Sequence, residues 1–284
     1  MGNNIDCHLH SFYSPDGSES PNALFEGALK NNLSGLVITD HNTTAHFTSV
    51  KRVAKKFKLQ TCEGLEITAS YEGADIHILG YSKSFNKKLL EPLLKDIREG
   101  YNKRSKTTLN KLEKTGIKIS FSELLKKTKS GCVTKPLIAK QIARIKNISQ
   151  KEALTFVERG GVAFVPYGPW APSPEQVVRI INEAGGKAVF AHPGDFFKKR
   201  NSLPISKIEG SFKKLLNKLI EAGLAGIEVS YPTHTPKQVL RFKSIAQKFN
   251  LISTGGSDYH GIAFTPDRSI GQRSATKYNF SRFF

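Results

Sequence analysis

The chain is poor in cysteine and in acidic residues, and it contains no long apolar run. Its three cysteines, Cys7, Cys62 and Cys132, are widely spaced and odd in number, which argues against a disulfide framework and against a cysteine-rich zinc site. No window approaches the ~18 uncharged apolar residues of a membrane span. The N-terminus shows no basic segment followed by an apolar one, as a secretory signal would. We therefore expect a cytoplasmic protein that does not enter a membrane, and the sequence identifies no protein partner.

The shortage of acidic residues leaves a strong positive charge. The chain has 24 Asp and Glu against 43 Lys and Arg, a formal net charge of +19. Between residues 103 and 151, 14 cationic side chains accompany only Glu113 and Glu123. Clustered positive charge favours a polyanionic partner, because contacts with phosphates supply affinity whatever the base sequence. For the chain as a whole, a lysine-rich solvated surface explains the charge equally well.

Short β-rich runs recur along the chain, and helical patterns separate most of them. The predicted strands cover residues 5–10, 35–39, 60–67, 75–81, 187–191, 226–230 and 251–254. This alternation is typical of a parallel α/β sheet or barrel. Residues 85–165 break the rhythm with a mostly helical pattern that includes a long basic helix near 87–115. We therefore predict an α/β domain formed by residues 1–84 and 166–284, with a basic helical insertion at 85–165.

Side chains that can bind metal ions lie on the predicted strands or just beyond their ends. They are His8, His10, Asp16, His41, Glu66, His77, His192, Asp258 and His260. Because the carboxyl ends of strands converge in barrels and open sheets, we expect these side chains to meet in one site. Histidine with carboxylates and without cysteine is a ligand set for zinc, manganese or iron. One ion needs about four to six ligands, so nine candidates indicate two or three ions with a bridging carboxylate.

Some of these polar residues have simpler explanations. Asp16 lies in a Ser-Pro-Asp-Gly turn, and the turn alone would explain it nearly as well. Asp40 could orient an imidazole or cap the next helix. His46 falls inside a predicted helix and is expected to be structural. If three divalent ions faced the three carboxylates, the site would carry +6 − 3 = +3, a charge that attracts phosphate and stabilises phosphoryl transfer.

Eight motifs follow one another as they do in the PHP (polymerase and histidinol phosphatase) family: HLH, SPDG, TDHNT, GLEIT, IHILGY, AHPGD, IEVSYPTHT and GGSDYHG. The chain most resembles the bacterial branch of ribonuclease AM and 3′,5′-nucleoside bisphosphate phosphatase, the TrpH-like branch. The resemblance spans most of the chain. It implies a distorted (β/α)7 barrel with a helical insertion and a site for three divalent ions. Manganese is the expected metal, with iron, zinc or magnesium as alternatives.

The resemblance also implies how the ions are held. One ion would be bound by His8, His10, Glu66 and Asp258. A second ion, to which Glu66 would bridge, would be bound by His77 and His192. The third would be bound by Asp16, His41 and His260. His234 falls where the branch has a histidine near the substrate phosphate, so it is a candidate for substrate binding or proton donation.

The chain departs from the branch within the insertion. Where the branch commonly has Gly-Arg-Pro-His, this chain has Thr134-Lys135-Pro136-Leu137. Lys135 keeps the positive charge and is the predicted phosphate contact, but it lacks the two-pronged guanidinium of arginine. The side chain of Leu137 cannot hydrogen-bond. The metal ligands are unaffected, whereas the preference between nucleotide and oligoribonucleotide stays open.

These patterns predict a metal-dependent phosphoesterase in which a metal-bound hydroxide attacks phosphorus. Glu66 would bridge the ions as a catalytic residue, and Lys135 and His234 would contact the substrate phosphate. The resemblance implies that the substrates are nucleoside 3′,5′-bisphosphates or the 5′ end of short single-stranded RNA. Two alternatives are another phosphatase on the same scaffold, such as one for histidinol phosphate, and an RNA-binding protein with little catalysis.

Overall fold

The computed structural model describes residues 2–128, 130–166 and 170–284 and shows a mixed α/β fold. Its strands are β1 (Asn4–Leu9), β2 (Gly35–Ile38), β3 (Glu63–Tyr71), β4 (Ala74–Ser82), β5 (Lys187–Phe190), β6 (Gly226–Ser230), β7 (Ile252–Gly255) and β8 (Ala275–Thr276). The seven predicted strands are all present, although β3 begins and ends several residues later than predicted. The two-residue strand β8 has no counterpart in the prediction.

Helices form most of the connections between the strands. They are α1 (Pro21–Lys30), α2 (Phe47–Phe57), α3 (Lys87–Glu113), α4 (Phe121–Lys126), α5 (Lys135–Lys146), α6 (Gln150–Thr155), α7 (Pro174–Glu183), α8 (Gly194–Lys198), α9 (Ile205–Glu221), α10 (Pro236–Lys248) and α11 (Lys277–Ser281). Ser149 and Thr235 start α6 and α10 with reciprocal capping boxes, because hydroxyl and carboxamide or carboxylate groups satisfy the free N–H groups there. Of the described helices, none is both long and apolar enough to cross a membrane.

The strands form two sheets. One has the order β2-β1-β8 and the other the order β3-β4-β5-β6-β7. β1 and β2 are parallel, and so are β5, β6 and β7, so the carboxyl ends point the same way within each of these groups. Isolated parallel bridges join Leu9 to Tyr259, and His41 to Glu66, which brings the two sheets together near these ends. Closure into a (β/α)7 barrel stays a prediction.

The expectation of parallel strands is wrong for β3 and β4, which run antiparallel along their whole length. Glu72 and Gly73 alone connect them, both with positive φ (50° and 74°), the geometry of a tight hairpin turn. A parallel pair needs a connection of a dozen or more residues, so this short turn requires a hairpin. β4 also runs antiparallel to β5.

The larger sheet and the helical segment have separate apolar cores. Leu65, Ile67 and Ile78 of the larger sheet are fully buried in a core that extends to α3, α7, α9 and α10. A second cluster lies within residues 109–163, where Leu112 and Val133 are fully buried. The helical segment therefore has a core of its own, while the proposed boundaries at 85 and 165 stay a prediction.

Candidate metal centre

The first strand brings two histidines to one face of its sheet. His8 lies in β1 and His10 follows its last residue, and both side chains are fully buried. Residues two apart on a strand share a face. Cys7, between them, packs on the opposite side in an apolar cluster with Val37 and Leu79. The spacing of the two histidines therefore directs both imidazoles to one place.

Glu66 in β3 lies at the middle of the cluster, with its two carboxylate oxygens facing different histidines. Oε2 lies 3.2 Å from the Nε2 atoms of His8 and His10 and 3.3 Å from Nδ1 of His41. Oε1 lies 2.8 Å from Nδ1 of His77 and 3.1 Å from Nε2 of His192. A carboxylate placed between two groups of imidazoles in this way has the geometry of a bridging ligand.

Two further carboxylates complete the cluster. Asp258 Oδ1 lies 3.3 Å from His8 Nε2 and 3.2 Å from His10 Nε2. Asp16 Oδ2 lies 3.7 Å from His41 Nε2, and Asp16 Oδ1 lies 3.8 Å from His260 Nε2. The hydroxyl of Ser14 donates a hydrogen bond to Asp16 at 2.7 Å, so the Ser-Pro-Asp-Gly turn folds back toward the histidines.

The nine candidate ligands predicted from the sequence thus lie around one centre. Three groups have ligand atoms within 4.8 Å of one another: His8, His10, Glu66 and Asp258; His10, Asp16, His41 and His260; and His41, Glu66 and His77. The first group equals the set expected for one ion. The second adds His10 to the three residues expected for another ion. His192 joins the cluster through its contact with Glu66 Oε1.

The charges in the cluster depend strongly on one another. Burial opposes ionisation of Glu66, but the neighbouring imidazoles, above all His41, hold the pKa of Glu66 well below its usual range. Burial acts against ionisation of Asp258 as well, yet His8 helps hold the pKa of this carboxyl well below its usual range. Burial would lower the pKa of His10, but Asp258 and Glu66 raise it to about 9. The carboxylates are therefore ionised and require positive charge beside them.

The donor atoms fit divalent metal ions. Each donor is an imidazole nitrogen or a carboxylate oxygen, the ligand types of zinc, manganese and iron sites. His10 is fully buried, yet within the part of the chain that the structure describes neither ring nitrogen has a hydrogen-bond partner of suitable geometry. Because a buried polar atom without a partner is costly, coordination of an ion by His10 would satisfy it.

Two of the candidate ligands have a strained backbone. The φ angle is 27° at His192 and 48° at Asp258, a region that residues other than glycine rarely adopt. Such strain costs about 1–3 kcal/mol and is found mainly where surrounding contacts enforce it, often at functional sites. Here the Asp258 N–H donates to the carbonyl of His8 at 2.7 Å, and the His192 N–H donates to Glu228 Oε2 at 2.8 Å.

Sequence reasoning missed three side chains that hold the ligands in place. Glu228, fully buried in β6, accepts a hydrogen bond from His8 Nδ1 at 3.1 Å. Arg268 and Tyr231 donate to Asp258 Oδ2, at 2.6 and 2.7 Å. Glu228 was detectable as a lone acidic residue within an apolar strand. Arg268 lies in a loop and carries no comparable signal.

His234 lies just outside the cluster with both ring nitrogens engaged by the backbone. Its Nδ1 donates to the carbonyl of Val229 at 3.0 Å, and its Nε2 accepts a hydrogen bond from the Gly194 N–H at 3.1 Å. Burial lowers the pKa of His234, which favours the neutral ring that these two contacts require. The contacts suit a support for the segment that follows His192 and do not suit proton donation.

Asp40 and His46 lie behind the cluster and brace the backbone. Asp40 accepts hydrogen bonds from the backbone N–H and the hydroxyl of Ser11, at 2.6 and 2.7 Å. His46 occupies the N-cap position of α2, and its Nε2 donates to the carbonyl of Gly64 at 2.8 Å. His46 is therefore structural, as expected, and Asp40 holds the segment that follows His10.

A cleft of about 700 Å³ opens between the cluster and the helical segment 85–165. Its lining includes Asp16, His41 and His77 of the cluster. It also includes the cationic side chains Arg104, Lys135, Arg159, Lys198 and Lys199. Lys135 Nζ lies 5.2 Å from the centre of the Phe164 ring, and burial lowers the pKa of Lys135 to about 8. The cleft thus joins candidate metal ligands to a positively charged wall.

The chain resembles known proteins both in sequence and in fold. Residues 6–162 match the PHP domain family. The chain is 30% identical to phosphoribosyl 1,2-cyclic phosphate 1,2-diphosphodiesterase of Eggerthella lenta over 90% of this chain and 94% of that protein. It is 27% identical to the 5′-3′ exoribonuclease Rnm of Escherichia coli (90% and 84% covered), and 28% identical to the 3′,5′-nucleoside bisphosphate phosphatase of Chromobacterium violaceum (90% and 87%). A crystal structure described as a metal-dependent phosphoesterase from Bifidobacterium adolescentis, 26% identical, superimposes with a TM-score of 0.83 over 98% of this chain and 94% of that one.

Proposed function

The chain belongs to the PHP domain family, and we propose that it is a metal-dependent phosphoesterase acting on nucleoside 3′,5′-bisphosphates and on the 5′ end of short single-stranded RNA. The observation that carries this proposal is the convergence of six imidazoles and two further carboxylates around Glu66. Its relatives include an exoribonuclease and a bisphosphate phosphatase, both of which act on a phosphate attached to a nucleoside. Its three free, buried cysteines suit a cytoplasmic location.

We infer that the cluster holds three divalent ions, with manganese favoured and iron, zinc or magnesium as alternatives. The ligands of the first ion would be His8, His10, Glu66 and Asp258. Those of the second would be Glu66, His77 and His192. Those of the third would be Asp16, His41 and His260. When bound, such ions lower the pKa of water toward neutrality and neutralise charge on phosphate.

The start of α5 is the part of the cleft wall best suited to a further phosphate of the substrate. The first N–H groups of a helix have no partners within it, and the helix dipole favours an anion there. Thr134, the N-cap residue, is 7% exposed, and its hydroxyl has no hydrogen-bond partner among the described residues. Lys135 adds a positive charge at the same point of the cleft. Leu137 can still offer its backbone N–H, although its side chain cannot hydrogen-bond.

The remaining walls suit the nucleoside and the rest of a polyanionic chain. Tyr101 and Phe164 line the cleft, and aromatic faces accept bases by stacking whatever their identity. Arg104, Arg159 and Lys198 would offset further phosphate charge. We assign His234 no contact with the substrate, because its nitrogens hold the backbone that positions His192.

Hydrolysis of four phosphate esters in the presence of Mn²⁺, measured for each substrate by chromatography of its own product (inorganic phosphate, released mononucleotide or ring-opened monoester), tests the substrate assignment. The panel consists of adenosine 3′,5′-bisphosphate, a 5′-phosphorylated oligoribonucleotide, phosphoribosyl 1,2-cyclic phosphate and histidinol phosphate. We expect kcat/KM for adenosine 3′,5′-bisphosphate or for the oligoribonucleotide to exceed the values for the cyclic phosphate and histidinol phosphate by at least about tenfold, a difference of ~1.4 kcal/mol in transition-state binding. Preference for histidinol phosphate or the cyclic phosphate would overturn the substrate assignment. Salt-sensitive RNA binding without hydrolysis of any substrate would overturn the enzyme assignment.

A pair of variants in β3 tests the role of the cluster. Glu66→Gln should abolish hydrolysis and leave the fold intact, because an amide cannot supply the bridging charge. Glu63→Gln is the matched control: Glu63 is also buried, but it accepts a hydrogen bond from the Phe85 N–H and pairs with Lys51, outside the cluster. Hydrolysis that survives in Glu66→Gln at the wild-type rate would contradict the proposal.

A further inference from the structure

Glu228 is a fully buried carboxylate that contacts the side chain of a candidate ligand, His8, but belongs to none of the three ligand groups. It lies in the middle of β6, between Ile227 and Val229. Burying a carboxylate costs several kcal/mol unless hydrogen bonds or charges satisfy it. Its contacts therefore indicate what it does for the site.

The two oxygens of Glu228 contact two different candidate ligands. Oε1 accepts a hydrogen bond from Nδ1 of His8 at 3.1 Å. Oε2 accepts one from the backbone N–H of His192 at 2.8 Å. His8 belongs to the ligand group with His10 and Asp258, whereas His192 lies against the other oxygen of Glu66. One side chain thus connects ligands on both sides of the bridging carboxylate.

The contact with His8 decides which of its nitrogens can bind an ion. Nε2 of His8 faces Glu66 and Asp258, at 3.2 and 3.3 Å. When Nδ1 donates its proton to Glu228, the lone pair of Nε2 is left free to coordinate, since a neutral imidazole carries one proton. Carboxylates that accept from metal-binding histidines in this way commonly orient the ring and strengthen the ligand.

The contact with His192 maintains an unfavourable backbone conformation. The φ angle of 27° at His192 is rarely adopted by residues with a side chain. The hydrogen bond from its N–H to Glu228 offsets part of that cost. It also holds the imidazole where its Nε2 lies 3.1 Å from Glu66 Oε1.

From these contacts we propose that Glu228 is a positioning residue that fixes His8 and His192 relative to each other, so that two ion positions on either side of Glu66 form together. The inference rests on the proposed metal centre but concerns no step of the reaction. An amide at this position has one accepting oxygen and a donating NH₂ group. It can therefore accept from His8 or from His192, but not from both, and the other contact would bring two donors together.

The test measures metal binding directly, without substrate. Wild-type protein and the variants Glu228→Gln and Glu63→Gln are dialysed against graded MnCl₂, and bound manganese per chain is measured by mass spectrometry. We expect Glu228→Gln to bind its ions about 10–100-fold more weakly, the usual effect of removing such a partner. Glu63→Gln also removes a buried carboxylate of the five-stranded sheet, but one that lies outside the cluster. This variant should bind manganese like the wild type.

A purely structural role for Glu228 would give a different result. In that case both variants would melt at lower temperature, and Mn²⁺ would raise the melting temperature of each as much as it raises that of the wild type. We expect the increase to be reduced in Glu228→Gln and unchanged in Glu63→Gln. Undiminished manganese affinity in Glu228→Gln would overturn the proposal.

A second variant keeps the test decisive if Glu228→Gln does not fold. Glu228→Asp retains the charge but is one methylene shorter, so it cannot reach both partners. It too should bind manganese more weakly, and wild-type affinity in this variant would overturn the proposal. If the wild type binds manganese but hydrolyses no phosphate ester, the proposed function fails and the role of Glu228 is judged by the binding data alone.

Discussion

Arg268 donates to Asp258 twice, to the side-chain Oδ2 at 2.6 Å and to the main-chain carbonyl at 2.8 Å. Its guanidinium also lies 5.3 Å from the centre of the Tyr231 ring. These contacts take up one oxygen of Asp258 and leave Oδ1 facing His8 and His10. They also hold Asp258 in its strained left-handed conformation.

Arg268→Met should therefore lower the free energy of unfolding by about 1.5–3 kcal/mol, the range for hydrogen bonds to charged groups. Arg268→Lys should recover only part of this loss, because one ammonium nitrogen cannot replace both Nη1, which contacts Asp258, and Nη2, which contacts the Tyr231 hydroxyl at 3.3 Å. Urea unfolding measures both. Arg282→Met is the control, since Arg282 is exposed and contacts Asn250, and it should change stability by less than about 0.5 kcal/mol. Equal stability of Arg268→Met and wild type would contradict this reading.

Lys135 should make substrate affinity depend on pH. Burial lowers the pKa of Lys135 to about 8, so its ammonium is charged below this value and loses its charge as the pH rises through it. KM should therefore increase between pH 7 and 9 in the wild type, while Lys135→Arg, which stays charged, should not show this increase.

Lys135→Met should raise KM about tenfold at pH 7, equivalent to ~1.4 kcal/mol of phosphate contact. The control is Lys118→Met, which removes an exposed lysine of the same segment outside the cleft and should leave KM unchanged. Steady-state kinetics with the best substrate of the panel provides both measurements. A KM in Lys135→Met that matches the wild type across this pH range would rule out the proposed phosphate contact.

Gly194 should tolerate no side chain, because it packs against His234. A Cβ atom at Gly194 would lie 2.6 Å from Cδ2 and 2.8 Å from Nε2 of that imidazole. Since the ring is also held by Val229, Gly194→Ala should displace the segment after His192, cost about 1–3 kcal/mol of stability and reduce activity.

Gly210, in α9, provides the matched control for this substitution. A Cβ atom there would meet nothing within 4 Å. Gly210→Ala should therefore leave activity unchanged and increase stability by about 0.5–1 kcal/mol, because alanine is the better helix former. Thermal unfolding and turnover of the two variants decide the matter: an active, stable Gly194→Ala protein would show that His234 does not constrain this segment.

The sequence predicted those parts of the site that depend on local geometry. Strand periodicity placed His8 and His10 on one face, and capping residues located the starts of α6 and α10. The antiparallel pairing of β3 and β4 was missed, although the seven residues between the predicted strands 60–67 and 75–81 are too few for a parallel connection. The exact turn, at Glu72 and Gly73, came only from the structure.

Residues that act on the ligands from a distance in sequence were not predictable in the same way. Arg268 reaches Asp258 only through the path of a loop. Glu228 contacts His8 from 220 residues away. For His234, the sequence indicated its neighbourhood, but not that both of its nitrogens would be engaged by the backbone. The predicted role of His234 in substrate binding or proton donation therefore rested on its position in the sequence, which does not show these backbone hydrogen bonds.

The proposed metal centre requires several ions to be coordinated jointly by side chains that come from both ends of the chain. Crystals soaked in MnCl₂ and measured for anomalous scattering near the manganese edge test this most directly. We expect at least two anomalous peaks, one on each side of the Glu66 carboxylate, each within about 2.5 Å of an imidazole nitrogen and a carboxylate oxygen. Fully soaked crystals with no peak beside Glu66, or with a single peak elsewhere, would contradict the proposed metal centre.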